Sequence, residues 1–117
     1  IKGQHFYGLH AKFEEFYDEV NELYDAVAER LLMIGGKPYS TMKDYLANSS
    51  LVEASGGETA TEMVTAIKQD FKTLRDEFNA LIKVAQDEGD EVTTDLLLGA
   101  VTSFDKHLWM LNATLGK

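Results

Sequence analysis

Apolar residues recur every three or four positions through three long stretches of this chain, and no stretch alternates apolar with polar residues. A period near 3.6 is the mark of a helix that buries one face, so the chain is constrained to an all-helical fold. The first stretch runs from about Leu9 to Ile34. It carries Leu9, Phe13, Phe16, Val20, Leu23, Val27, Leu31 and Ile34 on one stripe. Gly35-Gly36 stops this helix, and Pro38 prevents its resumption. A short helix is expected next, capped by Ser40 or Thr41 and running to about Ala47, with Asp44 completing a capping box from Thr41. Asn48 to Glu58 reads as a loop rich in Ser and Gly, softest at Gly56-Gly57.

The second long helix opens on a capping box, Thr59 with Glu62, and places Met63, Ile67, Phe71, Leu74, Phe78, Leu81 and Ala85 at helical spacing. Gly89 ends it. Asp90 is a suitable cap for the next helix, and the neighbouring Glu91 suits the positive end of the helix dipole. That last helix runs through Val92, Leu96, Ala100, Ser103 and Leu111 towards Leu115. Three long amphipathic helices and one short one suggest a bundle that wants a fourth long member. The partner is expected either upstream of Ile1 or from another chain.

Composition narrows the function. At 117 residues the chain fits a single domain, residues 1–117, with a usable core. It has no cysteine, which excludes disulfides and thiolate metal sites and makes a reducing cytoplasm the expected compartment. No apolar run approaches the ~20 residues of a membrane span. The net charge of −9 repels phosphate backbones and favours cations, so DNA is not an expected partner.

The polar residues of the first helix carry chemistry. His10 and Glu14 are four apart, and so are Asp25 and Glu29, so each pair shares a helix face and can bind one cation. Imidazole with carboxylates is a ligand set that iron accepts. Singly, such a pair is more often a solvated face than a ligand set. His10 and Asp25 are 15 residues apart, which is roughly 22 Å along a helix, so one helix cannot bring both pairs to one metal. Two antiparallel copies can. A two-fold axis crossing near Val20 would lay His10 and Glu14 of one copy beside Asp25 and Glu29 of the other, and would do so twice. The Glu-x-x-His motif of bundles that hold a di-iron site in their own core is absent from the sequence. A metal site in this chain should therefore lie between subunits.

The run KGQHFYGLHAKFEEFYDEVNELYDAVAERLLMIGGKPYSTMKDYL strongly resembles the second helix and following turn of the Dps family, the mini-ferritins. The shared features are His10 near the helix start, Asp25 and Glu29 followed by Arg30, and the stop Gly35-Gly36-Lys37-Pro38. EGDEVTTDLL and DKHLWMLNATLG resemble the last helix of the family. The resemblance implies a ferritin-like four-helix bundle, with a short helix between the second and third long helices. It also implies a first long helix, carrying a further His ligand, ahead of the position of Ile1. It implies hollow bacterial, cytoplasmic dodecamers that oxidise Fe(II) between two-fold related subunits, commonly with hydrogen peroxide, and store the Fe(III) mineral in the cavity. Carried over, His10 and Glu14 are ligands from one subunit, and Asp25 and Glu29 from its neighbour. The family often has Asp where Glu14 stands.

Glu91 and Asp95 form another pair four apart, at the start of the last helix. An acidic first turn that stabilises the helix dipole explains them cheaply. The resemblance implies a second role, lining three-fold pores that admit cations, although Gln86 stands where the preceding pore acid would be. His5 reads as a surface group, and His107 as a packed or hydrogen-bonded residue. The function expected is ferroxidase and iron store. The alternatives are a DNA-binding, nucleoid-protecting protein or a non-catalytic helical interaction module whose acid pairs only keep helices solvated.

Overall fold

The computed structural model describes residues 3–36, 51 and 56–117, and all regular structure among them is α-helix. The helices are α1 (Phe6–Met33), α2 (Ala60–Asp87) and α3 (Glu91–Thr114). The short helix expected at 41–47 lies outside the described residues. The chain divides into two compact units, Ile1–Ala54 with α1 and Ser55–Lys117 with α2 and α3. No described helix is long and apolar enough to cross a membrane.

α1 begins three residues earlier than the apolar stripe suggested, at Phe6 rather than Leu9, because Phe6, Tyr7 and Gly8 continue the turn without contributing to the stripe. Its end is set by Gly35, whose φ of +92° is open to glycine and strained for other residues. The Gly35 amide donates to the Leu32 carbonyl and the Gly36 amide to the Leu31 carbonyl, which satisfies two carbonyls that the helix end leaves open.

α2 and α3 form an antiparallel hairpin. The expected capping box is present: the Glu62 amide donates to Thr59 Oγ1 at 3.2 Å, and the Thr59 amide to Glu62 Oε1 at 3.3 Å. The link to α3 is three residues long. Gly89 takes φ +70° to end α2, and Asp90 at once caps α3 by accepting from the Thr93 amide at 3.0 Å. The hairpin packs around three phenylalanines, with Phe104 only 1% exposed and its ring 5.6 Å from Phe71 and 5.3 Å from Phe78. Arg75 of α2 bridges to Asp105 of α3 across the rim at 3.6 Å. His107 packs on the Phe71 ring at 5.2 Å and shares a hydrogen bond with Ser103 at 3.3 Å, the packed role expected of it.

The expected stripes keep Phe71 and Ala85 buried on α2 and Ala100 and Leu111 on α3, but other positions differ. On α2, Val64 and Ile82 are buried while Leu81 is exposed. On α3, Leu97, Phe104 and Leu108 are buried, and Val92, placed on the expected stripe, is 62% exposed. In both helices two adjacent apolar residues compete for the same turn. Contact with the facing helix, rather than the periodicity, decides which of them turns inward.

Candidate metal centre

α1 is the element that presents the donors. It carries seven acids against two bases, so its solvated side is strongly negative. His10, Glu14, Asp25 and Glu29 are all exposed on it. His10 and Glu14 lie one turn apart, and Asp25 and Glu29 lie one turn apart further along. Fifteen residues of α-helix also rotate Asp25 only about 60° from His10 around the axis, so both pairs project from one side. Among the described residues, none of the three carboxylates accepts a hydrogen bond or joins an ion pair, which leaves their oxygens open. The nearby Lys12 is occupied with Glu15 at 2.9 Å and sits over the Phe16 ring.

The described residues of one chain do not complete a site. Among the described residues there is no group of three or more His, Asp or Glu placed to hold a metal ion. The two pairs remain apart along one helix, fifteen residues from His10 to Asp25. Tyr17 is 69% exposed, Tyr24 44% and Val20 37%, although Val20 lies about 180° around the axis from Glu29, away from the donor side. Val20 was expected on the buried stripe, yet it stands with these tyrosines at the surface. One imidazole and three carboxylates, if brought together, would offer a borderline nitrogen and hard oxygens, a set suited to Fe(II) and, through the oxygens, still better to Fe(III).

Glu91 and Asp95 are likewise exposed, one turn apart at the start of α3. With Gln86, Asp90 and Thr94 they line an open depression at the tip of the hairpin. Asp90 is already engaged as the helix cap, so Glu91 and Asp95 are the acids left facing solvent there. One contact at the first helix was not anticipated from the sequence: the imidazole of His10 stacks on the ring of Phe6, with centroids 5.3 Å apart. Its only sequence signal is the spacing of four between an aromatic residue and a histidine.

A long helix with two exposed donor pairs, followed in the chain by a helical hairpin, is the pattern of a class, and the family model described as the Ferritin-like domain matches residues 1–117. Within that class the relatives are specific. The chain is 50% identical to "DNA protection during starvation protein 2" of Bacillus anthracis, over all of this chain and 80% of that protein. It is 45% identical to "General stress protein 20U" of Bacillus subtilis, over 99% of this chain and 80% of that one. A solved structure of Dps from Listeria innocua, soaked with zinc, superposes with a TM-score of 0.96 at 43% identity, covering 99% of this chain and 79% of that one. The chain belongs to the Dps family of ferritin-like proteins.

Proposed function

We propose that this chain is the subunit of a ferroxidase and iron store, all of residues 1–117 acting as one ferritin-like domain. Its substrates are Fe(II) and hydrogen peroxide or oxygen. Two antiparallel copies of α1 cross near the level of Val20, and His10 and Glu14 of one copy face Asp25 and Glu29 of the other. The observation that carries this reading is one side of α1, on which two exposed donor pairs stand roughly 22 Å apart, evenly placed about the level of Val20. An isologous contact that crosses two antiparallel copies of α1 at that level completes two equivalent sites in the same step.

At each site the imidazole and carboxylates bind Fe(II) and favour its oxidised form, because hard, negative oxygens interact more strongly with the higher charge. Peroxide takes up two electrons from two Fe(II) and two protons, and leaves as two waters. The Fe(III) passes to a mineral inside a dodecameric cage, and Glu91 and Asp95 line the pores through which Fe(II) enters. The relatives' names speak of DNA protection and stress. Consuming Fe(II) and peroxide together protects DNA with no contact to it, which suits a chain of charge −9.

Fe(II) and peroxide added to the protein, with ferric absorbance followed in time, provide the test. Oxidation well above the rate in buffer, saturating with iron, is expected; a rate equal to that in buffer would overturn the proposal. In the same assay Glu91→Gln with Asp95→Asn should slow the accumulation of mineral several-fold, since two charges that concentrate cations are removed. Accumulation at the normal rate would remove the pore from the scheme.

A further inference from the structure

We propose that Phe6 is a positioning residue for His10, holding its imidazole in the orientation in which it receives a divalent cation. The inference rests on the reading of His10 as a ligand. Phe6 and His10 are one turn apart at the start of α1, and their rings lie 19° from parallel with centroids 5.3 Å apart. A long side chain on a helix leans back towards the turn before it. His10 therefore falls onto residue 6, and the exposed Glu14, one turn later, leans back towards His10 in turn. Phe6, His10 and Glu14 thus form a row along one side of the helix.

A ligating imidazole is ordinarily oriented by a hydrogen bond from its second nitrogen to a carboxylate or carbonyl. Among the described residues nothing makes such a bond to His10, and the Phe6 ring is the contact it has. On an exposed helix face an unrestrained imidazole samples several rotamers, and binding must select one. The flat stack makes that selection in advance, and it holds the ring by its face, which leaves both nitrogens clear. Aromatic pairs in this offset arrangement attract beyond simple burial.

Co(II) titrated into the protein, followed by the visible absorption that responds to a nitrogen ligand, separates orientation from bulk. Phe6→Leu keeps apolar volume but loses the flat face; Phe6→Tyr keeps the face. Phe6→Leu should weaken Co(II) binding about three- to tenfold, the scale of one side chain's lost freedom, and Phe6→Tyr should restore it. In iron oxidation the same variant should raise KM for Fe(II) and leave kcat near its original value, because Asp25 and Glu29 are untouched. Wild-type affinity in Phe6→Leu, or a Phe6→Tyr protein as weak as Phe6→Leu, overturns the positioning role. His10→Ala is the reference: Co(II) binding that survives in it overturns the ligand reading itself, a different result from a silent Phe6→Leu in a protein that does need His10.

Discussion

Replacing Asp25 and Glu29 together by Ala should lower the rate of Fe(II) oxidation by at least about 100-fold, since loss of even an outer partner of a metal ligand costs 10- to 100-fold. The assembly should survive. Both residues are exposed and neither makes a hydrogen bond or ion pair among the described residues, so their removal leaves no buried group stranded. It also relieves like-charge crowding on a helix with seven acids. Stopped-flow ferric absorbance and size-exclusion elution measure the two halves of this expectation, and an unchanged rate would sink the assignment of these acids. Mixing gives a sharper result. A His10→Ala, Glu14→Ala chain and an Asp25→Ala, Glu29→Ala chain are each inactive alone, but their mixed dimer has one intact site and one doubly damaged one. Unfolding and refolding the two together should return about a quarter of the wild-type rate if subunits pair at random. No recovery would mean that the donors of a site come from the same chain.

Phe104→Ala should cost about 3–5 kcal/mol of stability, the usual loss for emptying a well-packed phenylalanine site. Phe104 is the most deeply buried large side chain of the hairpin, and its ring is the common neighbour of Phe71 and Phe78. Removing it leaves those two rings, from two turns of α2, without the partner from α3. A whole domain is held by only about 5–15 kcal/mol, so a large part of the margin disappears. The measurement is the urea midpoint at fixed protein concentration, with Leu81→Ala as the comparison. Leu81 is also a large apolar residue but is 48% exposed, and its loss should be within about 1 kcal/mol. Equal midpoints for the two variants would contradict the packing described for α2 and α3.

What could be foreseen from the sequence was what is local. The capping box of Thr59 and Glu62, the Asp90 cap and the glycine stops at Gly35 and Gly89 depend on residues a few positions apart, and all stand in the structure. The phase of the buried faces was less legible. Met63 and Val64, or Leu81 and Ile82, are equally apolar neighbours, and spacing along one helix does not decide which of them is buried, as Val64 and Ile82 are. The candidate site divides in the same way. Each donor pair is visible as a spacing of four on α1, while bringing the two pairs together calls for a symmetry operation that no spacing within one chain encodes. The stack of Phe6 on His10 is not legible in the sequence, because an aromatic at the start of a helix reads first as a packing residue.

The brevity of the link between α2 and α3 has a consequence for the order in which the protein takes shape. Gly89 and Asp90 end one helix and start the next within a single turn of chain, so Phe71, Phe78 and Phe104 meet after closing a short loop rather than a long one. Sequence-near contacts form fast, because little chain entropy is lost before they reward it. The hairpin is therefore expected to be the folding nucleus, ahead of any docking between copies. In pulse-labelled hydrogen exchange its central amides should gain protection first, at a rate independent of protein concentration. Concentration-dependent protection at Phe71 and Phe104 would show instead that the hairpin waits for assembly.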